Sequence, residues 1–99
     1  MSIPIQITAL HMELSEAIKD HVNDKFKRLE RHFHQISHTH VTLTVDKKFQ
    51  QIAKATMHLA GGKDIIASCT SENLYGSIDL LIDKLDEQIK KHKEKMQGQ

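Results

Sequence analysis

The sequence contains eight histidines, which are the first residues to examine for chemistry because imidazole binds metals and titrates near neutral pH. Two pairs are spaced by a single residue, His32 with His34 and His38 with His40. On a helix, residues two positions apart point about 200° away from each other, so the first pair cannot share a metal. The second pair supplies only two imidazoles, and no cysteine cluster completes a zinc site. We predict no metal site and no cofactor.

The sequence also lacks the patterns that are typical of an active site. It contains no glycine-rich phosphate loop, no nucleophile elbow and no spaced metal motif. Cys69 stands among small residues, without the cationic or helix-terminal setting that activates a thiolate, and we interpret it as a buried thiol. We interpret Asp79 and Asp83 as solubilising side chains that pair with lysines along their own helix. The expectation is a protein with no enzymatic activity and no catalytic residue.

Lysine and arginine supply the remaining chemistry, which is the binding of phosphate. The formal net charge is only +1, yet the charges are grouped along the chain. Residues 47–63 contain four lysines and no acid, residues 64–87 contain six acids and one lysine, and residues 88–99 contain four lysines and one acid. Because phosphate binding depends on local charge, the small net charge does not exclude a nucleic-acid partner.

Hydropathy patterns predict the elements that position these cations. Alternating apolar and polar residues predict four strands, over residues 3–10, 39–45, 53–59 and 64–70. Helical periodicity predicts two helices, one over residues 15–34 with Ser15 as its N-cap and one over residues 72–96. Gly61-Gly62 predicts a tight hairpin turn. The order β-α-β-β-β-α predicts an α+β fold in a single domain, residues 1–99, with both helices on one face of a four-stranded sheet.

Helical geometry sorts the charges of both helices onto flanks of their apolar stripes. The first basic flank, on the first helix, consists of His21, Lys25, Arg28 and His32. The second basic flank, on the second helix, consists of Ser77, Lys84, Gln88, Lys91 and Lys95. Two interpretations remain open, phosphate binding or a solvated surface whose lysines complement the helix dipole. Four further lysines either extend a basic surface or protect the sheet edges, namely Lys47, Lys48, Lys54 and Lys63.

Cellular location follows from features that the sequence lacks. Residues 1–10 have no basic segment followed by a long apolar segment, so no signal peptide is expected. No stretch approaches the ~18 apolar residues of a membrane span. A single cysteine suits a reducing compartment. We expect a cytoplasmic protein without a membrane partner.

Specific residues along most of the chain resemble one known family. In the second helix they are Tyr75, Ile78-Asp79, Asp83-Lys84-Leu85, Gln88-Ile89, Lys91, Lys93 and Lys95. Earlier in the chain they are Ile5, Ile7, Val22, Lys25, Phe26, Leu29, Glu30, Gly61-Gly62 and Ala67-Ser68. Over residues 3–95 this combination resembles the ribosome hibernation promoting factors, which belong with the ribosome-associated inhibitors to the sigma-54 modulation protein family. The chain resembles the short form of the family.

The resemblance implies a fold similar to a double-stranded-RNA-binding domain and a translation regulator that binds the small ribosomal subunit. The binding place would be the channel for mRNA and tRNAs, where the factor inactivates and preserves ribosomes in stationary phase or starvation. The implied contacts to ribosomal RNA are Lys25, Arg28, Lys84, Lys91, Lys93 and Lys95, of which Lys93 lies off the second basic flank. The resemblance further implies a separate ribosome modulation factor as a partner and a monomer away from the ribosome.

Two departures from the family pattern affect these expectations. Glu87 stands where many relatives have arginine, which removes one expected phosphate contact. Gly76-Ser77 replaces a small, alanine-rich pair, at a cost of about 1 kcal/mol in helix stability.

Two other classes of protein remain open on the residues alone. A free double-stranded-RNA-binding module spans about 16 base pairs and usually has lysines at the start of its second helix, where this chain has Ser71-Glu72-Asn73. A purely structural domain that uses the polar face of the sheet would show no salt-sensitive association with RNA.

Overall fold

The computed structural model describes residues 5–32, 36–45 and 50–97, with side chains described up to His92 and not for His32. Its elements in chain order are β1 Ile5–Leu10, α1 Glu16–His32, β2 Ile36–Val45, β3 Gln51–Leu59, β4 Asp64–Ser71 and α2 Leu74–Gln97. The strands form one sheet in the order β1-β2-β3-β4. β1 pairs with β2 in parallel, whereas the other two pairings are antiparallel. The predicted α+β order is confirmed, and the sheet is mixed.

The core lies between one face of the sheet and the two helices. α2 packs on β3 and β4, and α1 packs beside α2. Inward-facing residues of the strands and the apolar stripes of both helices form one buried cluster, which includes Val22, Phe26, Leu29, Val41, Leu43, Ala55, Met57, Ile78, Leu81, Leu85 and Ile89. Among the described residues, no helix covers the opposite face of the sheet, which carries mostly polar side chains.

In β4, two adjacent isoleucines compete for the inward face of the strand. Ile65 and Ile66 leave its inward face ambiguous in the sequence, because successive side chains point to opposite faces. In the structure Ile65 and Cys69 face the core, whereas Ile66 points outward and is 56% exposed. Cys69 is a free, buried thiol, as predicted.

Local capping sets where each helix begins. Ser15 caps α1 as predicted, since its Oγ accepts a hydrogen bond from the Ile18 amide at 3.2 Å. α2 begins two residues later than predicted, at Leu74. The reason is that Asn73 acts as its N-cap, with its Oδ1 accepting a hydrogen bond from the Tyr75 amide at 2.8 Å.

A tight turn joins β3 to β4. Gly61 and Gly62 have φ angles of 97° and 90°, in the region that glycine adopts without strain. Backbone hydrogen bonds close the turn, from Leu59 N to Lys63 O at 2.8 Å and from Gly62 N to Leu59 O at 3.1 Å. The predicted hairpin is confirmed, and the turn holds the backbone of Lys63 in place.

Candidate nucleic-acid interface

The first basic flank faces α2. Asp79 of α2 contacts two side chains of this flank, because its Oδ1 lies 3.0 Å from His21 Nε2, a hydrogen-bond distance, and 3.7 Å from Lys25 Nζ, an ion pair. The His21 ring also meets Tyr75 edge to face, with centroids 5.0 Å apart. The prediction that Asp79 pairs along its own helix is therefore wrong. Its partners lie on the neighbouring helix, which helical periodicity within one segment does not reveal.

Arg28 continues this flank one turn after Lys25. Its side chain is exposed, and no ion pair joins it to another part of the chain that the structure describes. The guanidinium of Arg28 is thus open to a partner, whereas the ammonium of Lys25 already pairs with Asp79. His32 belongs to the predicted flank, but its side chain lies outside the described residues.

The second basic flank lies over the free edge of β4. Lys84 Nζ donates a hydrogen bond to the Ser68 carbonyl at 3.3 Å, and Gln88 Nε2 donates one to the Ile66 carbonyl at 3.2 Å. Both carbonyls belong to β4, which is the last strand of the sheet. Lys84 and Gln88 thus donate hydrogen bonds to backbone carbonyls of an edge strand, which has no further strand beside it to donate them. The Lys84 charge is not neutralised by its neutral acceptor.

Ser77 does not belong to the exposed part of the second flank. Its side chain is fully buried, and its hydroxyl donates to the Gln51 carbonyl and contacts Ser71 Oγ at 3.1 Å. Helical angle placed it correctly beside Lys84. Burial was not predictable from that angle, because it depends on how closely the start of α2 approaches β3.

The C-terminal part of the second flank meets the hairpin turn. Lys91 lines a shallow groove together with Lys63 and Gln88. Lys63 is thereby joined to the second basic flank, whereas Lys54 lies on the open face of the sheet beside Ser68 of β4. The side chains of Lys93 and Lys95, and residues Lys47 and Lys48, lie outside the described residues.

An acidic row separates the two flanks. Asp79, Asp83 and Asp86 recur at helical spacing; Asp79 contacts α1, whereas Asp83 lines a groove together with Lys84 and with Ser68 of β4. Asp86 also pairs with Lys90 one turn later, at 3.2 Å. The two basic flanks consequently lie on different sides of α2.

The histidines of the sheet are bound by ordinary polar and stacking contacts. His38 stacks on His58 with ring centroids 4.1 Å apart, and His58 Nδ1 lies 2.7 Å from Asp64 Oδ1. His40 Nε2 lies 2.9 Å from Thr8 Oγ1. Within the described ranges, no group of three or more histidine, cysteine, aspartate or glutamate side chains is arranged to hold a metal ion. No helix in the same ranges is long and apolar enough to cross a membrane.

Comparison with known proteins shows to which protein family this chain belongs. Residues 5–97 match the family described as sigma 54 modulation protein / S30EA ribosomal protein. The chain belongs to this family. Two of its relatives are named ribosome hibernation promoting factor. One, from Azotobacter vinelandii, is 43% identical over 91 residues, covering 92% of this chain and 83% of that protein. The other, from Escherichia coli K12, is 40% identical over 92 residues, covering 93% of this chain and 95% of that protein.

Solved structures show the same fold. A ribosomal subunit interface protein from Coxiella burnetii matches with a TM-score of 0.86 and 30% identity, over 92% of this chain and 98% of that one. The N-terminal domain of Protein Y from Thermus thermophilus matches with a TM-score of 0.80 and 29% identity, over 93% of this chain and 99% of that one. The family resemblance found in the sequence is confirmed, and the S30EA family consists of non-enzymatic binding proteins.

Proposed function

We propose that residues 1–99 act as a single domain that binds the small ribosomal subunit in the channel for mRNA and tRNAs, and so inactivates and preserves idle ribosomes in the cytoplasm. One observation carries this proposal. Relatives that are at least 40% identical over more than nine-tenths of this chain are named ribosome hibernation promoting factors. Inhibition requires no chemistry, since a domain lodged in the channel excludes mRNA and tRNA sterically.

The proposed contacts to ribosomal RNA are Lys25, Arg28, Lys84, Lys91, Lys93 and Lys95. Arg28 and Lys91 support this set because both are exposed and have no ion pair among the described residues. Lys84 supports the set as well, since its hydrogen-bond acceptor is a neutral carbonyl and not a carboxylate. Such cations position a protein on the RNA backbone without reading the bases.

Sucrose-gradient sedimentation of stationary-phase lysate tests the proposal. The wild-type chain should travel with the small subunit at low salt, whereas the triple variant Arg28→Ala, Lys84→Ala, Lys91→Ala should stay near the top. A matched variant removes the same charge elsewhere, through Lys19→Ala, Lys27→Ala and Lys54→Ala, and should still sediment with the subunit. A wild-type chain that stays at the top while ribosomes are idle would refute the proposal.

The proposal includes the partners of the complex. The chain is monomeric away from the ribosome, and a separate modulation factor joins it in pairing inactive ribosomes. Size-exclusion chromatography with light scattering measures the oligomeric state of the free chain. Sucrose gradients of lysates from cells with and without that factor measure the amount of paired ribosomes.

The start of α2 argues against a free double-stranded-RNA-binding module. Glu72 precedes the helix, Asn73 caps it, and no lysine or arginine occurs in its first turn. A module of that class usually places lysines there to contact phosphates across a groove.

A further inference from the structure

The groove between the end of α2 and the β3–β4 turn has the features of a phosphate site. It is lined by Lys63, Asp64, Ile65, Gln88, Lys91 and His92. Its volume is about 170 Å³. Two of its lining residues are lysines contributed by different elements, the hairpin turn and the helix.

The scaffold of this groove is well defined. The two glycines of the turn and the hydrogen bond from Leu59 N to Lys63 O hold the backbone of Lys63. On the helix side, Gln88 is tied to the Ile66 carbonyl of β4. Because the backbone is already fixed, little backbone entropy is lost when the two lysine side chains bind an anion together.

The charges of the groove favour an anion. Lys63 and Lys91 form no ion pair with any residue that the structure describes. Asp64 is the acid among the lining residues, and its Oδ1 lies 2.7 Å from His58 Nδ1, on the open face of the sheet. That contact directs the carboxylate towards His58 rather than towards the two lysines.

We propose that Lys63 and Lys91 together bind one phosphate of the RNA backbone in this groove, so that the β3–β4 turn is part of the RNA-binding surface. The proposal rests on the proposed function and adds to it Lys63, a residue of the hairpin turn that is not among the six proposed RNA contacts. It requires the tertiary structure, because the turn and the end of α2 are far apart in the chain.

Binding of purified small subunits at several salt concentrations tests the site. Lys63→Ala should weaken binding by about two- to fivefold and reduce the slope of log affinity against log salt by about one. Lys63→Arg should restore both values. Lys54→Ala is the matched control, because it removes the same charge from the open face of the sheet, and should leave both values unchanged.

The outcomes separate this proposal from the one on which it rests. If the wild-type chain binds and Lys63→Ala behaves like wild type, the groove is not a phosphate site, although the proposed function stands. Equal losses for Lys63→Ala and Lys54→Ala would show an effect of net charge alone and would also overturn the site. A wild-type chain that does not bind overturns both proposals. Since the Lys63 side chain is exposed and unpaired among the described residues, circular dichroism should show all three variants folded.

Discussion

Asp79 is the residue whose contacts most directly connect stability with binding. It forms an ion pair with Lys25, a proposed RNA contact, and also contacts His21. The Lys25 side chain is 22% exposed and that of Asp79 is 51% exposed, so water screens the pair and its contribution to stability is at most about 1 kcal/mol. A phosphate that approaches Lys25 must compete with this carboxylate.

The variant Asp79→Asn tests that competition. Loss of the carboxylate charge should tighten binding to small subunits by about two- to fivefold, because Lys25 no longer shares its charge. The free energy of unfolding should fall by up to about 1 kcal/mol, measured by urea denaturation.

Asp83→Asn is the control for this variant. It removes the same charge from the same row, and Asp83 is exposed without an ion pair among the described residues. Asp83→Asn should therefore leave binding closer to the wild-type value. Equal tightening by both variants would show that only net charge matters and that Asp79 does not restrain Lys25.

At the scale of elements, the start of α2 is attached to the sheet by a serine network. The Ser77 hydroxyl donates to Gln51 at the start of β3, and Ser71 at the end of β4 contacts both Asn73 and Ser77. Gly76 belongs to the same arrangement, because a Cβ at this position would lie 3.1 Å from Ser71 Oγ. Gly76 and Ser77 therefore allow the start of the helix to make a close polar contact with the strands.

Ser77→Ala should destabilise the protein although alanine is the better helix former. The variant loses buried hydrogen bonds worth about 1 kcal/mol each, and it gains only about 0.5 kcal/mol of helix propensity. Urea denaturation should thus show a lower free energy of unfolding.

Ser68→Ala serves as the comparison for this variant. The Ser68 side chain is exposed, and an exposed substitution changes stability by less than about 0.5 kcal/mol. If Ser77→Ala is as stable as wild type, the serine network does not anchor α2.

At the scale of the whole molecule, a net charge of +1 conceals a strong segregation of charge. The second basic flank and Lys63 form one cationic region around the free edge of β4. Asp79 of the acidic row faces α1 and forms an ion pair with Lys25. A polyanion is therefore attracted to particular sides of α2 and repelled from the row between them, which favours a defined orientation on RNA.

Salt dependence follows from this arrangement. If each proposed cation meets one phosphate, affinity for small subunits should fall by about a thousandfold between 50 and 200 mM monovalent salt. The magnesium concentration is held constant so that the subunits stay intact. Filter binding or sedimentation measures the slope, and affinity that is indifferent to salt would contradict phosphate contacts as the basis of binding.

The sequence by itself determined the elements, their order and the family. Periods of two and of about 3.6 residues are local properties, so they predicted the strands and helices and identified most of the buried stripe, for example Val22, Phe26 and Leu85. Ser15 as a cap and Gly61-Gly62 as a turn were also predictable, because each depends on chemistry within a few residues.

Only the tertiary structure decided how the charges are used. The pairing of Asp79 with α1, the burial of Ser77 against β3, and the joining of Lys63 to Lys91 all depend on contacts between elements distant in the chain. Helical angle places a charge on a flank but does not say what that flank faces. For this reason the lysines were found from the sequence, whereas the packing of α2 between α1 and the edge of β4 determines which of them are open to a phosphate.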